Sequence, residues 1–252
     1  MTFDLTSLAF FLVAFVGEII SIPIGGSFLL VVPSFLFLGM NGLQTLLLSR
    51  IFATSSMVSA SSYFFLHHRF EWRRIFYFLS GNLLGYGLAA KLATSINIDI
   101  LTKIIPWILL LGAILLLKNW KIKQLHHQKN FAKLLPLFGL ITGFYGGMGG
   151  AGMGPTIVLL LTLAFDWNIH KSIVNTRVIE LFGNLTVVGS YLYFGAKFTG
   201  FEIPVILGGT LGGLIGARIT LNSKPAWLKK AFLLFVFVAA IKSSWPLLEK
   251  FL

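Results

Sequence analysis

The chain has 252 residues, of which 56% are apolar and 11% charged, with a mean hydropathy of +0.87 and a formal net charge of +12. A soluble domain carries about 25% charged residues, so this composition excludes an ordinary soluble fold and points to an all-α polytopic membrane protein. Continuous rather than alternating apolar runs argue against a β-barrel, and the lack of Cys excludes disulfides and thiolate metal sites.

Apolar segments fall at 5–37, 43–66, 74–95, 99–118, 134–165, 173–194, 201–221 and 227–247. The first run has no basic leader and no small-residue cleavage site after it, so it reads as a mature segment rather than a signal peptide. The one long polar stretch, Lys118 to Lys133, separates a first repeat (1–117) from a second (134–252). At an offset of 127 residues, Arg50 falls on Arg177, Gly81 on Gly208, Gly85 on Gly212, Lys91 on Arg218 and Lys103 on Lys230. Charged residues are scarce here, so three basic pairs in one register argue for duplication.

The segments that open the two halves are anomalous. Each of 5–37 and 134–165, as one helix, would run about 50 Å against a hydrocarbon core of about 30 Å. Each also carries a glycine-rich interruption, Gly25-Gly26-Ser27 and Gly149-Gly150-Ala151-Gly152, with Pro23 and Pro155 beside them. Glycine weakens a helix and proline removes a backbone donor. Either each segment is a tilted, broken single span, or each is a pair of short half-helices that enters and returns.

The first alternative gives parallel repeats. The second leaves three full crossings per half and inverted repeats. Basic residues weigh the choice. Re-entrant hairpins place 14 of the 20 basic residues on the side of the Lys118–Lys133 linker, whereas single spans give 11 to 9. The margin nearly vanishes when Arg50, Lys91, Arg177 and Arg218 are counted as intramembrane residues. Inverted repeats are the favoured reading, with the linker cytoplasmic and both termini outside.

Broken backbone at membrane depth is tolerated where it is buried or lines a cavity, and paired breaks point to a transporter's substrate site. Free N–H groups at a half-helix N-terminus favour an anion. The candidate binding residues are therefore Gly25, Gly26 and Ser27 in the first half, and Gly149, Gly150 and Gly152 in the second. Close helix packing by small residues is the alternative.

Two further stretches, "LLLSRIFATSS" and "SIVNTRVIELFGN", place Ser49-Arg50 and Asn175-Thr176-Arg177 where their helices are expected to begin. A guanidinium presents a planar fork suited to sulfonate, sulfite or carboxylate oxygens. The alternative is a helix-end Arg reaching for the interface. Glu18 and Glu180 are the acids expected within the membrane, as coupling groups or as charge partners of the arginines. Glu180 lies three residues after Arg177, so the two can share a face and pair.

Lys91 and Arg218 end glycine-rich helices and read as interfacial anchors. His67-His68 and His126-His127 sit in polar loops, and adjacent His residues make a poor metal pair. Neither a metal nor a cofactor is expected.

The two breaks "IGGSFLLVVP" and "GGMGGAGMGP", each followed by a helix opening in "LSR" or "VNTR", resemble the sulfite exporter TauE/SafE family of membrane proteins. The family's helix pattern is Ala-x-x-Thr-Asn-Arg or Ala-x-x-Thr-Ser. The duplicated layout and the length also agree, so the resemblance covers nearly the whole chain. This chain departs from the family pattern in having Ser27 in place of a third glycine, Ala151 within the second break, and no Asn before Ser49-Arg50. The resemblance implies transport of a small sulfur-containing or carboxylated anion, such as sulfite, sulfoacetate or another sulfonate.

The expected function is thus a secondary anion transporter in the bacterial cytoplasmic membrane, ion-coupled if Glu18 or Glu180 carries a proton. Its expected partners are the anion and the bilayer, not nucleic acid, and a homodimer is compatible with the sequence. No Gly-x-x-x-x-Gly-Lys-Ser/Thr motif occurs that would power a pump. An anion channel is the alternative. An intramembrane enzyme is less well supported: Ser27 could be a nucleophile, but His170 is the only His outside the loop pairs and sits at a segment end.

Overall fold

A computed structural model describes residues 4–40, 42–92, 133–147, 153–193, 197–224, 226–228, 230, 231 and 234. The expected segment 99–118 and nearly all of the linker and of 227–247 lie outside these residues.

Every regular element among the described residues is an α-helix. The first segment forms α1 (Leu5–Ile24) and α2 (Phe28–Phe37), followed by α3 (Gly42–His67) and α4 (Trp72–Leu92). The second half supplies α5 (Leu135–Gly147), α6 (Met153–Phe165), α7 (Ile169–Tyr193) and α8 (Glu202–Asn222).

The Asp4 carboxylate caps α1 by accepting from the Ser7 N–H at 2.8 Å. Pro23 and two glycines end the helix. Gly25 and Gly26 have φ of +95° and +88°, a region that side chains with a Cβ rarely adopt. The chain then doubles back. Val31 of α2 packs on Gly17 of α1, and the Phe10 and Phe35 rings lie 5.1 Å apart.

Both opening segments are thus two helices rather than one, but they are not uniformly short. The 20 residues of α1 run about 30 Å, long enough to cross a bilayer, whereas α2 runs about 15 Å.

The halves exchange their first helices. α1 packs along α8, and α5 packs along α4, while α3 and α7 cross at the centre. The glycines matched in sequence make both exchanges. A Cβ on Gly81 would overlap the Pro136 carbonyl of α5, and one on Gly208 would overlap the Phe11 carbonyl of α1. At both positions two helix backbones touch, an approach that only glycine permits.

Burial departs from the pattern of a water-soluble protein, with large apolar side chains facing outward as well as inward and charged groups buried. Leu8, Leu12, Val16 and Ile20 form an exposed apolar stripe on α1, while Glu18 and Ser21 are buried. On α8, Ile203, Leu207, Leu211 and Leu214 are exposed, and Gly208, Gly212 and Gly216 face inward. This is the arrangement of helices solvated by lipid, with small and polar groups between them. By length and composition, α1 and α8 can each cross a bilayer.

Candidate functional site

The two breaks meet. A Cβ on Gly25 would lie 2.5 Å from the Pro155 ring in the first turn of α6. Beside this contact is a small cavity of about 30 Å³, walled by Ser21, Gly26, Ser27 and Phe28 on one side and Met153 and Gly154 on the other. Arg50, Ala53 and Met57 of α3 and Glu180 and Asn184 of α7 complete it. Backbone bonds organise the first wall. The Ser27 N–H donates to the Ser21 hydroxyl at 3.3 Å, and the Ser27 carbonyl accepts from Val31 at 2.8 Å.

Arg177 closes the end of α1. Its Nη2 donates to the carbonyls of Ser21 at 2.9 Å and Ile22 at 2.8 Å, and Nη1 donates to Glu180. The last carbonyls of a helix are short of intrahelical donors and carry partial negative charge, although the Ser21 carbonyl also accepts from the Gly25 N–H at 2.5 Å. A guanidinium satisfies both needs, and Glu180, one turn along α7, neutralises it.

Arg50 does the corresponding work for α5, with a different partner set. Its Nη2 donates to the Gly146 carbonyl, its Nη1 donates to Asn184 Oδ1 at 3.0 Å, and its guanidinium sits 4.2 Å from the centre of the Phe28 ring. All of these partners are neutral. The Nε of Arg50 is buried with no acceptor. Arg50 and Arg177 are 2% and 1% exposed, so neither reaches for an interface.

The expectation that each Arg opens its helix is corrected here. α3 starts at Gly42 and α7 at Ile169, which puts both arginines in the third turn, about 12 Å along.

Glu18 is fully buried on α1. Its Oε2 accepts from the Ser56 hydroxyl at 2.7 Å, and Oε1 has no hydrogen-bond partner.

Of the residues singled out in the sequence, Gly26, Ser27, Arg50 and Glu180 line the cavity, and Gly25 packs against Pro155, the neighbour of the lining residue Gly154. Arg177 lies just behind Gly154. Ser49 points elsewhere, donating to the Thr45 carbonyl at 2.6 Å. Asn175 also leaves the site: its Oδ1 accepts from the Glu71 N–H at 3.0 Å and its amide donates to the Lys171 carbonyl. Thr176 is buried, with its hydroxyl unpartnered. Gly149, Gly150, Ala151 and Gly152 lie outside the described residues.

Asn184 is the functional candidate that sequence reasoning missed. It follows Glu180 by four and Arg177 by seven, a spacing that puts all three on one helix face.

At one end of the bundle a polar cluster ties the halves together. Lys171 Nζ donates to Glu71 at 2.5 Å, and this bond holds the Glu71 carboxyl below the usual carboxylate range. Arg74 stacks on Phe165 and Trp167 at 4.5 and 5.3 Å. Among the described residues, no group of His, Asp and Glu could hold a metal ion.

Exposed apolar helix faces and broken helices around buried charge are features of a membrane-embedded helical protein. The family is shown by sequence: the model of the sulfite exporter TauE/SafE family matches residues 9–243, and the chain belongs to that family. A probable membrane transporter protein of Haemophilus influenzae is 26% identical over 236 residues, covering 92% of each chain. A probable membrane transporter protein of a Sinorhizobium species is 28% identical over 234 residues, 91% of this chain and 88% of its own length. No solved structure matches significantly.

Proposed function

We propose that this chain is a secondary transporter of a small anion, such as sulfite, a sulfonate or a small carboxylate, across the bacterial cytoplasmic membrane. The anion sits between Gly26-Ser27 and Gly154, against Arg50. One observation carries this reading: among the described residues, Arg50 is a buried cation whose acceptors are all neutral and whose Nε has none. A buried charge without a counter-charge costs several kcal/mol, and an anion in the adjoining cavity removes that cost. Arg177 already has Glu180 and acts as the brace of α1.

The cavity volume equals about one water's share of the liquid. A sulfonate therefore requires the two broken segments to part, as alternating access demands. The reciprocal packing of α1 on α8 and α5 on α4 supports inverted repeats. So does the reciprocal capping by Arg50 and Arg177. The fold-back of α2 on α1 supports a re-entrant first segment.

Liposome counterflow tests the reading. Protein loaded with unlabelled sulfite or sulfoacetate should accumulate labelled anion transiently, and Arg50→Gln should abolish this. Flux without counterflow would identify a channel instead.

A further inference from the structure

Four carboxylate or basic side chains are buried among the described residues: Glu18, Arg50, Arg177 and Glu180. Arg177 and Glu180 cancel as a bonded pair. Arg50 and Glu18 remain, and they do not touch. Arg50 bonds to neutral groups, and Glu18 bonds to Ser56 alone.

The surroundings of Glu18 are accounted for on every side. α8 meets it with Gly212 and Gly216, and α3 meets it with Ser56. Arg177 and Glu180 act on it across the interior from α7, attracting and repelling it in turn.

With all four groups ionised, the charges buried among the described residues sum to zero before any substrate enters. An added monoanion would leave one uncompensated negative charge in a low-dielectric site. With Glu18 protonated the interior carries one positive charge, and a monoanion neutralises it. We propose that Glu18 is the coupling-proton site of this transporter, loaded together with the anion in a ratio of one to one.

The proton goes onto Oε1, the oxygen that no donor occupies. Ser56 keeps its bond to Oε2 in either state, and Ser21, one turn along α1 from Glu18, lies in the cavity wall. The loaded pair is electrically neutral, so an inward proton gradient drives the anion inward and an outward anion gradient drives protons out. By linkage, anion affinity rises as pH falls and anion binding draws a proton onto Glu18. This inference rests on the anion reading above, but the proton site itself can be detected without any anion.

Infrared difference spectra of the purified protein between acid and alkaline buffer provide the test. A buried carboxylic-acid C=O band should appear in the wild type, vanish in Glu18→Gln and shift in Ser56→Ala, which removes the hydrogen bond but leaves the carboxyl. Methanesulfonate, which does not titrate in this range, should enlarge the band and take up about one proton per anion bound in weakly buffered solution. A band unchanged in both variants overturns the proposal. So does methanesulfonate that binds calorimetrically without affecting the band. Sodium that abolishes the band at constant pH would replace the proton with a metal cation and overturn it as well. A Glu18-dependent band with no detectable binding of methanesulfonate, sulfite or sulfoacetate would sink the anion reading and the coupling, leaving only a buried acid.

Discussion

Arg50 and Arg177, 127 positions apart, each reach into the opposite half and bind carbonyls at the end of that half's first helix. Arg50 takes Gly146 of α5, and Arg177 takes Ser21 and Ile22 of α1. The relationship is reciprocal in backbone and unequal in charge, because Glu180 is bonded to Arg177 and, among the described residues, no acid is bonded to Arg50.

That inequality separates the two arginines experimentally. Glu180→Gln leaves Arg177 buried without its counter-charge and should destabilise the protein by about 3–5 kcal/mol. Arg50→Lys keeps the charge and loses the planar fork, so it should reduce anion binding with a smaller loss of stability. Detergent thermal unfolding and binding calorimetry on both variants would measure this. Equal effects on stability would contradict the assignment.

The breaks should tolerate no side chain. Gly25→Val must adopt a positive φ and collide with Pro155. Gly26→Val faces the cavity with the same backbone demand. Transport by Gly26→Val should fall at least tenfold, more than its folded yield does. Gly150→Val should behave like Gly26→Val if the halves are equivalent. Counterflow rates normalised to folded protein check both.

Helix exchange predicts paired stability effects. Gly81→Ala and Gly208→Ala each drive a methyl into a backbone carbonyl of the helix they touch. Each should cost about 1–3 kcal/mol, the usual range for overpacking. Gly189→Ala, where a methyl meets open space, should cost little. Thermal unfolding of the three variants is the comparison.

The Glu71–Lys171 bridge gives a pH signature outside the membrane. Glu71 has a lowered carboxyl pKa in the folded state, so its contribution is present above the ordinary value of 4.5 and is lost as pH falls through the folded value. Both side chains are about a third exposed, so the contribution is small. The Tm difference between wild type and Glu71→Gln should be steady near neutral pH and disappear in acid below the ordinary value. A difference that grows in acid would reverse the sign.

Topology can be read directly, because the chain contains no Cys. Single cysteines at Thr2 and Gln124 should label from opposite sides of the membrane, with Gln124 cytoplasmic. Labelling from the same side would remove the hairpin reading of 5–37.

Several features were legible in the sequence for physical reasons. Gly25-Gly26 had to end a helix, and Glu180 had to share a face with Arg177 at a separation of three. The fates of Ser49 and Asn175 were not legible. A neighbour in sequence is rotated by about 100° around a helix, so standing beside an arginine placed neither in the cavity. The unequal pairing of the arginines was hidden too, since Asn184 and Gly146 reach Arg50 only through tertiary packing.

The exchange of first helices sets a timetable for biogenesis. α5 follows α4 out of the ribosome after the linker, but α1 must wait for α8, near the end of the chain, before Gly208 and Gly212 cover it. At about 5–20 residues per second, that wait is roughly 10–40 s. Throughout it, the face of α1 that carries Glu18 lacks its final neighbour. Neither half can finish folding alone, so a chain cut within the linker should yield two fragments that persist when co-expressed and are degraded when produced separately.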